Sequence, residues 1–214
     1  MIAAGIDEAG RGSVIGPLAI AIVCGEEEGI NPEYRDSKKI GREKRKQLRK
    51  EIEEKFEFHV RLITAEEINE KMQKKISLNV IEAEGAAELI SSLKNKPEAI
   101  YLDSPYPEPE RYSTEIRKFL NEEFRNMKLV SENFADSKYK ICSAASIVAK
   151  VSRDEEIEKI KKELGCDFNS GYPSDEETRK FLKENMKKEE CRKYIRKKWK
   201  TLKRISQKTL EEYQ

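Results

Sequence analysis

Asp7 and Glu8 close an apolar opening segment and run straight into the turn Gly10-Arg11-Gly12. Carboxylates oppose a phosphate unless a divalent cation stands between them, and then they suit it well. Glycines beside them let backbone approach a ligand closely, and Arg11 adds a cationic fork. Asp103 and Asp136 stand in similar settings, each at or just beyond the end of an apolar run. In α/β folds, ligand sites gather at strand ends. Four acids converging there would repel one another without cations, an arrangement suited to two magnesium ions that activate water and stabilise a leaving oxygen. Alternation points Asp7 and Glu8 to opposite faces, so both can face one site only where the strand twists into its turn. Position alone leaves a plainer reading open, because strand-end acids commonly serve as turn or cap residues.

Other segments carry weaker signals. Gly10 to Gly16 has the spacing G-x-G-x-x-x-G, followed by Pro17 and a second apolar run, which argues against a dinucleotide loop opening a helix. Ser143, Ser146, Lys150 and Arg153 fall on one side of a predicted helix, a stripe suited either to phosphates or to solvent. Asp36-Ser37-Lys38-Lys39 reads as a phosphate-contacting loop or as a helix start. Tyr172, in Gly171-Tyr172-Pro173-Ser174-Asp175, either stacks on a sugar or base or simply pins its turn.

The elements that must position these residues follow from periodicity. Strands are expected at Ile2 to Asp7, Leu18 to Val23, His59 to Ile63, Ala99 to Asp103 and Lys128 to Glu132. Helices are expected at Glu43 to Phe56, from Thr64, at Ser77 to Leu93, at about Tyr112 to Phe124 and at Ser143 to Leu164. Capping boxes open at Thr64 and Ser174. The pattern is an α/β domain over residues 1–165 with a helical, basic subdomain over 166–214.

Composition narrows the classes. The chain has 214 residues, and 43 Lys+Arg nearly balance 41 Asp+Glu, so its heavy charge does not spell disorder. Such Lys/Glu richness leads us to expect thermostability. Positive charge is concentrated in Lys187 to Arg204, with ten Lys/Arg against two Glu and with Tyr194 and Trp199 interleaved, a footprint suited to a polyanion, although basic helices are also common on soluble proteins. The apolar run Val14 to Cys24 is too short to span a bilayer, and the start lacks a basic signal region, so a cytoplasmic protein without membrane contact is expected. Cys24, Cys142, Cys166 and Cys191 are scattered and expected to be free thiols. His59, the sole histidine, is expected to be a strand residue, which removes most histidine-based catalysis.

Six segments in order closely resemble ribonuclease HII, the type 2 ribonuclease H family, in its short archaeal form. They are Asp7 to Gly12, Asp36 to Lys39, Tyr101 to Pro105, Ala135 to Tyr139, Ala144 to Val151 and Gly171 to Asp175. The resemblance implies a ribonuclease H-like mixed sheet flanked by helices. It implies Asp7, Glu8, Asp103 and Asp136 as catalytic, metal-binding acids for two divalent ions, Mg2+ or Mn2+. Backbone at Gly10, Arg11 and Gly12 would contact the ribose 2′-hydroxyl, Tyr172 would stack beneath the neighbouring deoxyribose, and Lys38, Ser146 and Lys150 would hold phosphates. The expected enzyme is a monomer that cuts the RNA strand of RNA–DNA hybrids and incises 5′ to single ribonucleotides in duplex DNA; a sliding-clamp partner stays open, with Gln207 to Gln214 reading either as a short partner-binding tail or as a packed helix. The competing reading is a non-catalytic module that binds duplex nucleic acid on the same basic surface.

Overall fold

The computed structural model describes residues 1–36, 40–199 and 202. The phosphate-contact reading of Lys38 and the partner-tail reading of Gln207 to Gln214 lie outside these residues. Among those described, five strands form one sheet: β1 (Ile2–Ala9), β2 (Leu18–Glu26), β3 (Glu57–Ile63), β4 (Ala99–Asp103) and β5 (Leu129–Glu132). The helices are α1 (Arg42–Lys55), α2 (Ala65–Gln73), α3 (Leu78–Ser91), α4 (Glu110–Arg117), α5 (Ala135–Lys138), α6 (Lys140–Leu164), α7 (Glu176–Asn185) and α8 (Glu189–Arg192). The sheet order is β3-β2-β1-β4-β5, with β1 antiparallel to β2 but parallel to β4, and β4 parallel to β5. The mixed sheet flanked by helices is the fold class that the sequence led us to expect.

The described residues form two compact units, one drawn from Met1–Ala9, Ala19–Arg61 and Ser77–Ser152, the other from Gly10–Leu18, Leu62–Ile76 and the described residues from Arg153 to Leu202. The first unit packs Ala21 and Val23 of β2, and Leu48 and Ile52 of α1, against Ile141, Ala144, Ala145, Ile147, Val148 and Ala149 of α6. Residues 141–145 and 147–149 are all buried, so the start of α6 has hardly any wet face. Gly5 lets this helix approach β1. A Cβ there would lie 2.5 Å from the backbone nitrogen of Cys142 and from the carbonyl carbon of Ile141. Gly5→Ala is therefore expected to lower stability by about 1–3 kcal/mol, read as an earlier denaturant midpoint at unchanged slope. An unshifted midpoint would show that strand and helix separate freely.

In the second unit the loop after β1 supplies apolar residues of its own. Val14 and Ile15 pack with Ile157, Ile160, Phe168, Phe181, Leu182 and Ile195, and Ile15 bridges Ile195 in antiparallel fashion. The rings of Phe168 and Phe181 meet at 5.3 Å between centroids. All four cysteines are free, and His59 lies on β3 with Nε2 3.1 Å from Glu57 Oε1, both as expected.

Candidate active site

Strand register brings the acids together. Ile6 pairs with Leu102, which makes Asp7 and Asp103 the next residues along two parallel neighbours. Asp103 in turn pairs with Glu132, and the chain leaving β5 turns into α5, which carries Asp136. Parallel strands put their carboxyl ends at one edge of a sheet, so three segments distant in sequence deliver aspartates to one place. Asp7, Asp103 and Asp136 each offer a carboxylate oxygen, and these oxygens all lie within 4.8 Å of one another. Asp7 and Asp136 are buried and Asp103 is partly exposed.

Glu8 is not in this group. β1 runs on to Ala9, two residues past its predicted end, so Asp7 and Glu8 both lie within the strand rather than in the turn after it. The Glu8 backbone amide donates to Asp7 Oδ1 at 2.7 Å.

Burial, then the neighbouring charge of Asp103 and more weakly that of Asp136, pushes the Asp7 carboxyl up to about 7. The Ser146 hydroxyl and the Glu8 amide, both donating to it, only partly offset this. The Asp103 carboxylate accepts the Ala135 amide at 2.9 Å, and the Ser143 hydroxyl donates to the Asp136 carbonyl. The thiol of Cys142 lies close enough for the three acids, after burial itself, to raise it well above its ordinary value, which leaves it inert. Closely spaced hard oxygen donors, one of them proton-retaining for want of positive charge, fit a divalent cation.

The predicted stripe on α6 divides. Ser146 and Lys150 are partly exposed, whereas Ser143 and Arg153 are buried. Arg153 cannot serve as a solvent-facing phosphate contact, because packing against the Tyr172 loop encloses it. Its Nη2 donates to the Ser170 carbonyl at 2.5 Å, and its guanidinium lies 4.7 Å over the Tyr172 ring. Gly12 also approaches that ring, and a Cβ there would stand 3.8 Å from Tyr172 Cε1. Gly10 has φ +86°, and a Cβ there would lie 2.8 Å from the Pro17 carbonyl oxygen and 3.0 Å from Arg153 Nε. Only glycine fits that turn without strain.

Arg196 is the residue that sequence reasoning missed. It sits in a tract whose charge reads as a surface property, yet it is fully buried. Its Nε donates to the Gly16 carbonyl at 3.0 Å and its Nη1 to the Arg11 carbonyl at 2.9 Å, while its guanidinium rests on Trp199. One side chain thus ties both ends of the Gly10–Pro17 loop. The sole hint in the sequence is Trp199, three residues on. Arg196→Lys is expected to cost about 1–3 kcal/mol, since a single ammonium cannot reproduce the fork, and a thermal midpoint equal to that of the parent protein would contradict this.

A mixed sheet that gathers aspartates at one edge of its parallel strands places the chain among ribonuclease H-type nucleases. The protein superposes on the crystal structure of ribonuclease H2 from Pyrococcus horikoshii with a TM-score of 0.84 and 37% identity, over 99% of this chain and 100% of that one. It also superposes on the structure of the PCNA:RNase HII complex from Archaeoglobus fulgidus with a TM-score of 0.83 and 42% identity, over 94% of this chain and 96% of that one. Ribonuclease HII of Archaeoglobus fulgidus is 42% identical over 212 residues, 98% of this chain and 99% of its own length. The family model described as Ribonuclease HII matches residues 4–202. The chain belongs to the ribonuclease HII family and is a nuclease.

Proposed function

We propose that the enzyme hydrolyses the RNA strand of RNA–DNA hybrids and incises 5′ to single ribonucleotides in duplex DNA, leaving a 3′-hydroxyl and a 5′-phosphate. The observation that carries this reading is the cluster of Asp7, Asp103 and Asp136 oxygens in a member of this family. Together with Glu8, these residues would hold two divalent ions, Mg2+ or Mn2+. When bound, such ions supply Lewis acidity at the scissile phosphate and a water of lowered pKa. Asp7 would give up its proton on binding such an ion, its carboxylate held by the Ser146 hydroxyl and the Glu8 amide.

Readout of ribose falls, in this proposal, to the Gly10-Arg11-Gly12 backbone and to Tyr172. Their packing against each other and under Arg153 supports it, since a close backbone approach and a fixed ring can test for a 2′-hydroxyl. Lys150 and Lys38 are proposed phosphate contacts, while Ser146, expected to join them, gives its one hydroxyl proton to Asp7. A sliding clamp is the proposed partner, a reading supported by the solved complex of PCNA with a family member.

The test is a DNA duplex carrying one ribonucleotide, with the products mapped to the nucleotide beside an all-DNA control. Incision on the 5′ side of the ribonucleotide, with the control intact, is expected. Cutting of both duplexes would overturn the ribose readout.

A further inference from the structure

We propose that Phe134 is a substrate-contacting residue, its ring packing on the sugar and base edge of the nucleic acid beside the acid cluster. This inference rests on the function proposed above. Phe134 lies two residues before Asp136 and is 70% exposed, more than Met1, Ile2 or Phe119, the other large apolar residues exposed among those described. Its backbone is left-handed, with φ 59° and ψ 38°. Glycine or asparagine occupies that conformation readily, whereas an aromatic residue is strained in it. The ring thus contributes almost no core burial and sits on a backbone that favours another residue.

The turn is nonetheless anchored on both sides. The Asn133 side chain donates through Nδ2 to the carbonyls of Ser104 at 3.1 Å and Tyr106 at 2.7 Å. The Ala135 amide donates to Asp103 Oδ1 at 2.9 Å, and the Ser137 amide donates to the Phe134 carbonyl at 3.0 Å. One of these anchors is itself a cluster acid, so the position of Phe134 is tied to the place where phosphate chemistry occurs. Backbone strain held by surrounding bonds next to reactive groups is characteristic of functional positions. A rigid, wet aromatic ring there suits sugar faces and base edges, which nucleic-acid enzymes contact through aromatic side chains.

Phe134→Asn and Phe134→Tyr separate contact from structure. Asparagine tolerates the left-handed backbone, so the Phe134→Asn unfolding midpoint is expected to equal or exceed that of the parent protein. Its KM for an RNA–DNA hybrid, and its Kd for the same hybrid in chelator, are expected to rise about ten-fold with kcat within about two-fold. Phe134→Tyr should restore both constants. Unchanged KM and Kd in Phe134→Asn would overturn the proposal, as would a fall confined to kcat, which would assign the residue to shaping the acid turn. The binding arm requires no cleavage, so an inactive parent protein would count against the proposed function while the Kd comparison still decided the role of Phe134.

Discussion

Asp103→Asn is expected to lower the rate of RNA-strand cleavage by a factor on the order of 10³ or more, with hybrid binding in chelator unchanged. The substitution keeps the shape of the side chain, and the asparagine carbonyl oxygen still accepts the Ala135 amide, now at 2.9 Å from Asp103 Oδ1. The turn into α5 therefore stays closed, and with it the placement of Asp136. What disappears is one carboxylate of a cluster whose oxygens lie within 4.8 Å of one another. A loss of 10³ corresponds to about 4 kcal/mol of transition-state stabilisation, the scale seen when a preorganised electrostatic group is removed. Single-turnover cleavage and anisotropy measure the two quantities separately. Near-normal turnover would remove Asp103 from the reaction, and lost binding would turn it into a structural residue.

Asp7→Asn is expected to abolish cleavage as well and, unlike most buried substitutions, to stabilise the metal-free protein. Burial and Asp103 raise the Asp7 carboxyl to about 7 against an ordinary value near 3.8. Between those two values the folded state holds a proton that the unfolded chain has released. The stability of the metal-free protein should therefore decline as pH rises from about 4 to about 7, and level off above. Asparagine removes the charge and with it this slope. Divalent metal is expected to act oppositely, because an ion held by Asp7 would displace its proton and so bind more strongly as pH rises through the same window. Melting temperatures at pH 5 and pH 8, with metal and with chelator, for the parent and Asp7→Asn proteins, check all of this. A parent protein whose metal-free stability climbs from pH 5 to pH 8 would contradict the raised carboxyl.

The sheet was largely legible because its strands are short apolar runs bounded by glycine, proline or acids, as at Ala99–Asp103. Thr64 and Ser77 announce their helices and do cap them, accepting the amides of Glu67 at 3.1 Å and Val80 at 3.4 Å. The Ser174 capping box does not form. Asp175 is the N-cap there, and its carboxylate turns back to the amide and hydroxyl of Ser170, bracing the Tyr172 loop. The expected helix to Phe124 ends at Arg117. Ile116, Leu120 and Phe124 keep a helical spacing and are all buried. Yet Asn121 Oδ1 takes the Phe124 amide at 3.2 Å, and Arg117 donates to the carbonyls of Arg125 and Met127. Side chains that bond nearby backbone compete with a helix in a way that periodicity cannot register.

The acids were legible as types and settings, but their meeting was not. Parallel pairing of β1 with β4, and of β4 with β5, is a long-range choice that no local pattern encodes. Burial is equally hidden, and it alone separates Ser143 and Arg153 from Ser146 and Lys150 on the same helix. Arg196 escaped notice for the same reason, since an arginine among lysines looks alike whether it faces water or the carbonyls of Arg11 and Gly16.

In the proposed function the aspartate cluster is a metal-dependent centre for cutting RNA paired to DNA. The most direct measurement is cleavage of a labelled RNA strand in a uniform hybrid, with magnesium, with manganese and with chelator, beside the same RNA alone. Cleavage of the hybrid with either metal, none in chelator and little of the free RNA is the predicted result. Equal cutting in chelator, or no cutting with either metal while the hybrid binds tightly, would contradict it.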